Sequence, residues 1–116
     1  MKNEGWIDAH VHIWPDHEKS NPKRFTAPEL LAHARANGVT RVVLIQPGQF
    51  RFDNSYMLEA IARHKGVFSG VAVVEKAADM ARMRKLGVRG FRITGGFDTD
   101  AMQAMWRVAG EERMAM

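Results

Sequence analysis

The chain has 116 residues, 17 Lys+Arg against 13 Asp+Glu for a formal charge of +4, and 46% hydrophobic residues. That is the balance of one folded domain and excludes disordered, collagen-like and membrane-embedded chains. Cysteine is absent, which removes disulfide frameworks, thiolate zinc sites and cysteine nucleophiles from consideration. The opening Met-Lys-Asn-Glu-Gly-Trp carries no apolar signal core, and no apolar run approaches the roughly 18 residues of a membrane span, so a soluble cytoplasmic protein is expected. Arg35, Arg41, Arg63, Lys65, Arg82, Arg84 and Lys85 are scattered, with acids between them, rather than gathered in a stripe with stacking aromatics. The expectation is solvated helix faces and no nucleic-acid partner.

In chain order, the first apolar run is Trp6 to Trp14, read as a strand, followed by a loop from Pro15 to Phe25. Thr26-Ala27-Pro28-Glu29 has the form of a capping box with proline in the first turn. Leu30, Leu31 and Ala34 make an apolar stripe, and Asn37-Gly38 supplies a left-handed stop. Val39 to Gln46 is rich in β-branched residues and nearly continuous, as a strand covered on both faces should be. A second helix starts near Asp53-Asn54-Ser55, buries Met57, Leu58, Ile61 and Ala62, and stops at Gly66. A strand from Val67 to Val74, a helix from about Ala77 to Leu86 and a strand from Val88 to Thr94 follow. The last helix, after Asp98-Thr99, carries Met102, Met105 and Trp106 on one face.

Gly38-Val39, Gly66-Val67 and Gly87-Val88 repeat one device, a helix stop followed at once by a strand. Four strand–helix units imply an α/β fold with a parallel sheet and right-handed crossovers. A small doubly wound sheet and the first half of an eight-stranded (β/α)8 TIM barrel both fit this order. No Gly-x-Gly-x-x-Gly follows the first strand, so the dinucleotide-binding fold lacks its fingerprint.

The strongest chemical signal is Asp8-x-His10-x-His12. Strand alternation places Asp8, His10, His12 and Trp14 on one face, at the end of a first strand, where parallel α/β folds gather their sites. Two imidazoles so spaced can reach one divalent ion, with Asp8 as a carboxylate partner behind them or beside them. A locally hydrogen-bonded histidine pair gives the same pattern. Gln46 and Glu75 close the second and third strands, either capping the next helix or facing a ligand. Arg92, late in the fourth strand on the face of Val88, Gly90 and Thr94, needs an anion: a substrate carboxylate, or an ion pair with Asp98 or Asp53. His33 and His64 read as exposed helix residues, His17 lies in the first loop, and Gly95-Gly96 reads as a turn.

Five blocks taken together resemble the amidohydrolase family, in the branch of the 2-pyrone-4,6-dicarboxylate lactonases and sugar lactonases. They are Ile-Asp-Ala-His-Val-His-Ile-Trp (7–14), Val-Val-Leu-Ile-Gln-Pro (42–47), Asp-Asn-Ser-Tyr-Met-Leu (53–58), Gly-Val-Ala-Val-Val-Glu (70–75) and Gly-Val-Arg-Gly-Phe-Arg (87–92). The resemblance implies a β/α barrel hydrolase that opens a lactone or related carbonyl ester of a carboxylated small molecule. It gives His10 and His12 the place of metal ligands (zinc or manganese) or, as in relatives that need no metal, of substrate contacts. It makes Arg92 similar to the arginine that holds a substrate carboxylate and puts Gln46, Asn54 and Tyr56 near the substrate pocket.

That family needs about 250 residues for eight strands. The expectation for residues 1–116 is therefore one partial barrel domain, strands 1–4 with helices 1–4. The third ligand and general base would then lie beyond Met116, and the chain alone would be inactive. Arg113-Met114-Ala115-Met116 reads as the opening of a fifth strand. A decarboxylase of the same superfamily, and a non-catalytic half barrel that forms a homo-oligomer or binds a partner, are the alternatives.

Overall fold

The computed structural model describes residues 5–15, 24–93 and 99–116. His17, Thr94, Gly95, Gly96 and Asp98 lie outside the described residues. The elements are β1 (Trp6–Val11), α1 (Ala27–Ala36), β2 (Val39–Ile45), α2 (Ser55–Arg63), β3 (Phe68–Ala72), α3 (Met80–Lys85), β4 (Val88–Phe91) and α4 (Asp100–Glu111). Single 3-10 turns at Gly48–Phe50 and Ala77–Asp79 precede α2 and α3.

The sheet order is β1-β2-β3-β4, every pair parallel. Consecutive strands lying side by side, each joined by a right-handed crossover, bring all the helices to one face. A doubly wound sheet would need a reversal in strand order, and none occurs among these four. The architecture is half of a β/α barrel.

The local reasons match the sequence. Thr26 caps α1 through a reciprocal box: its Oγ accepts from the Glu29 amide at 3.4 Å, and Glu29 Oε1 accepts from the Thr26 amide at 2.8 Å. Gly38, Gly66 and Gly87 have φ of +74°, +85° and +99°, the left-handed conformation that ends a helix and that side chains resist. Val42, Leu44, Ala72, Val88 and Phe91 point under the helices and pack with Leu30, Ile61, Met80 and Met105 as one core. Each such large side chain contributes about 1.5–3 kcal/mol on burial.

Some expected details differ. The third helix splits into a 3-10 turn and a short α-helix, with Met80 and Met83 as its buried residues. In α2, Ala60 is buried instead of Ala62, and Leu58 is half-buried. Along α4 the buried pair is Met105 and Ala109, while Trp106 is 59% exposed. His64 is half-buried, with its ring 5.3 Å from that of Phe68. β4 ends at Phe91, and Gly70–Val88 is followed by Val71–Gly90, so an extra residue at Arg89 takes Val88 to the opposite face from Gly90.

The last residues return to the sheet. Ala115 forms a parallel bridge to Gly90, donating to the Arg89 carbonyl at 3.0 Å and accepting from the Phe91 amide at 2.9 Å. This single parallel bridge occupies the edge of β4 that faces away from β3. The other edge, β1, is exposed, with Trp6 77% and Ile7 50% accessible.

Candidate active site

β1 carries an irregularity that decides where its polar side chains point. Asp8 pairs with Val42 and Val11 with Leu44, three residues advancing against two. The extra residue shifts the alternation, so Asp8 and Val11 share the register of the helix-covered face while His10 and His12 flank Val11 on the other. The four residues from Asp8 to Trp14 are therefore not all on one face. Asp8 Oδ1 accepts from the His10 backbone amide at 3.2 Å, holding the bulge and not an imidazole.

His10 and His12 do come together. Their ring centroids are 5.2 Å apart at an interplanar angle of 90°, and the Trp14 ring follows 5.7 Å from that of His12. His12 Nδ1 lies 2.7 Å from the Ile45 carbonyl, at the carboxyl end of β2. A carbonyl can only accept, so Nδ1 carries the hydrogen and, in the neutral ring, Nε2 keeps its lone pair for a ligand. A backbone carbonyl behind an imidazole is the partner that orients a metal-binding histidine.

The donor set suits a divalent ion in part. A catalytic zinc keeps about three protein ligands and an open position. Among the described residues, no group of three or more His, Cys, Asp or Glu gathers to hold an ion. Two imidazoles of one strand are what these residues can offer.

Arg92 reaches the same place from the far side of the sheet. Its Nη1 donates to the Gln46 carbonyl at 3.1 Å, spanning β3 to reach the end of β2. Consecutive carbonyls at the end of β2, those of Ile45 and of Gln46 just beyond it, thus tie down His12 on one side and Arg92 on the other.

Gln46, Asn54 and Tyr56 each bond to backbone groups of neighbouring segments. Gln46 is 2% exposed, and its Nε2 donates to the Asp53 and Arg51 carbonyls at 2.7 and 3.3 Å. Asn54, 3% exposed, pairs with Val73 through both amide atoms. The Tyr56 hydroxyl accepts from the Ala27 amide at 2.9 Å, at the first turn of α1. Glu75, expected to close the third strand, is exposed and lies beyond the end of β3 at Ala72.

Trp14 stands out in the structure although the sequence marked it merely as continuing the histidine alternation. Its indole N–H donates to Gln49 Oε1 at 3.1 Å, and the Arg24 guanidinium sits 4.8 Å from its ring centre. It forms a wall beside His12.

A cavity of about 850 Å3 opens elsewhere, at the amino ends of β2–β4, where Arg41, Lys65, Lys85 and Arg89 line it. The histidines and Arg92 are at the opposite ends of the strands. The side-chain chemistry, not the volume, marks the candidate site. Parallel β/α folds carry their sites at the carboxyl ends.

The fold is thus half of a β/α barrel, with two histidines at the end of its first strand and an arginine just past its fourth. The amidohydrolase family pattern matches residues 7–108, and the chain belongs to that family. Among solved structures it is similar to an Acinetobacter baumannii protein described as a 2-pyrone-4,6-dicarboxylic acid hydrolase with citric acid bound. That likeness has a TM-score of 0.81 at 20% identity over 96% of this chain and 48% of that one. A Pseudomonas putida protein, also described as a 2-pyrone-4,6-dicarboxylic acid hydrolase, matches at 0.78 and 25% identity over 93% and 45%. An Agrobacterium tumefaciens protein solved in its apo form matches at 0.71 and 18% over 94% and 45%. The chain spans just under half the length of these structures. Among the described residues no helix is long and apolar enough to cross a membrane.

Proposed function

We propose that this chain supplies the first half of a lactone-hydrolase site, and that the substrate is a small carboxylated cyclic ester of the 2-pyrone-4,6-dicarboxylate kind. The observation that carries the reading is the convergence on one strand end. His12 and Arg92, just past the ends of β1 and β4, are both tied to adjacent carbonyls at the end of β2. An imidazole with a free Nε2 and a guanidinium held at one strand end suit a substrate that offers a carbonyl to one and a carboxylate to the other.

In this reading Arg92 binds and orients the substrate carboxylate. His10 and His12 face the scissile carbonyl, and Trp14 walls the pocket beside His12. A divalent ion held there by His10 and His12 would supply Lewis-acid polarisation of the carbonyl and an acidified water. The residues that complete the ligand set and act as general base come from further strands, and the 116-residue chain alone does not turn substrate over. The names of the similar solved structures support the substrate class.

The test is hydrolysis of 2-pyrone-4,6-dicarboxylate and of aldonolactones by the 116-residue chain and by a protein in which its barrel is completed. Activity of the completed barrel, abolished by His12→Ala and with KM raised by Arg92→Gln, is expected. His10-dependent turnover by the 116 residues alone would overturn the half-site reading. A completed barrel that ignores both ester classes would overturn the substrate assignment.

A further inference from the structure

The pairing of β2 with β3 leaves one rung unmade, and that rung is where Arg92 docks. The register sets Leu44 beside Gly70 and Ile45 beside Val71, and the Gln46 amide donates to the Val71 carbonyl at 3.0 Å. In a parallel ladder the next bond runs from the Val73 amide to the Gln46 carbonyl. The Val73 amide instead donates to Asn54 Oδ1 at 3.1 Å, and the Val73 carbonyl accepts from Asn54 Nδ2 at 2.8 Å. The side-chain amide of Asn54 thus takes the place of a strand at the end of β3. The Gln46 carbonyl, deprived of its ladder partner, accepts from Arg92 Nη1.

We infer that Asn54 is a positioning residue for Arg92, acting by diverting the Val73 amide so that the Gln46 carbonyl is open to the guanidinium. The residue type fits the task. Asparagine alone among small side chains presents a donor and an acceptor in the spacing of a peptide group, and it can satisfy both polar atoms of Val73 at once. It also explains an oddity of α2. Asn54 occupies the N-cap of that helix, a favoured place for its type, yet its side chain makes no capping bond. The neighbouring Asp53 Oδ1 takes the Ser55 amide at 3.1 Å instead. Gln46 closes the circuit, since its own side chain holds the Arg51 and Asp53 carbonyls and keeps the segment leading to Asn54 against the strand ends.

The inference rests on the reading of Arg92 as the carboxylate-binding group, and the experiment separates the two. Citrate binding to the full chain is measured by calorimetry for the unaltered protein, Asn54→Ala, Arg92→Gln and the double variant. Asn54→Ala is expected to weaken binding about tenfold, the scale of one hydrogen bond to a charged group. The double variant should bind no more weakly than Arg92→Gln, because the two residues act through one contact. Additive losses in a folded double variant, or a folded Asn54→Ala with unchanged affinity, overturn the inference. If Arg92→Gln leaves citrate binding unchanged, the anion-binding reading falls instead. The guanidinium NMR signals of Arg92 in the ligand-free protein then decide the positioning: resolved in the unaltered chain and averaged in Asn54→Ala if it holds, identical in both if it does not. Should Asn54→Ala fail to fold, a scalar coupling across the hydrogen bond from the Val73 amide to the Gln46 carbonyl carbon, sought in the unaltered chain, decides between the two arrangements. Its absence supports the diverted rung, and its presence refutes it.

Discussion

Replacing Gly87 and Gly66 by alanine, one at a time, separates two costs that usually arrive together. Both glycines sit at the turn between a helix and the following strand with positive φ, +99° and +85°. An L residue in that region costs about 1–2 kcal/mol. At Gly66 nothing lies within 4 Å of the position a Cβ would take, so the backbone cost is the whole effect. At Gly87 the added Cβ would fall 2.5 Å from Ile61 Cγ2, and Ile61 is 4% exposed in the core. Its branched carbon is fixed by χ1 and cannot swing clear. Overpacking of this sort costs a further 1–3 kcal/mol or so. Gly87→Ala should therefore destabilise by about 2–5 kcal/mol and Gly66→Ala by about 1–2 kcal/mol. Urea unfolding of both variants measures the difference directly. Equal losses would refute the reasoning, because they would mean that the close approach to Ile61 carries no energy.

Other expectations follow from single contacts. Tyr56→Phe removes the acceptor for the Ala27 amide and should cost about 1 kcal/mol in urea unfolding, as an N–H left without its partner does. Thr26→Ala removes the hydroxyl that accepts from the Glu29 amide, while the backbone amide of residue 26 keeps its bond to Glu29, and should cost roughly 1 kcal/mol, read in the same way. Hydrogen bonds from the Ser55 hydroxyl and amide hold the Asp53 carboxyl below its usual value of 3.8. A depressed folded value stabilises above the unfolded value and loses that contribution as pH falls through the folded one. Asp53→Asn should therefore narrow the stability gap to the unaltered chain as pH drops from neutral to about 3. A gap that stays constant over that range would contradict the assignment.

Much of the fold was legible because its signals are local. The capping box at Thr26 and the three glycines before valine depend on residues adjacent in sequence, and each stands where those residues imply. The return of Ala115 to β4 was visible as a short strand-like ending. The bulge in β1 was not. It is set by pairing with β2, some thirty residues on, and it separates Asp8 from the histidines that strict alternation had joined to it.

The same distance in sequence explains the fate of Gln46, Asn54 and Tyr56. Their residue types admit a substrate role, but the bond from Asn54 to Val73 spans 19 residues and that from Tyr56 to Ala27 spans 29. Composition and spacing carry no trace of such contacts. Trp106 turned outward for a related reason: with Met105 and Ala109 buried, it falls on the solvent side of α4.

The carboxyl ends of the strands, and not the cavity at their amino ends, are where the ligand should bind. Titrating the 15N-labelled chain with pyridine-2,4-dicarboxylate, a flat dicarboxylate that cannot be hydrolysed, and mapping the shifted NMR signals tests it. Shifts gathered on His10, His12, Trp14, Gln46 and Arg92 are the predicted result. Shifts gathered on Arg41, Lys65, Lys85 and Arg89 would contradict the account.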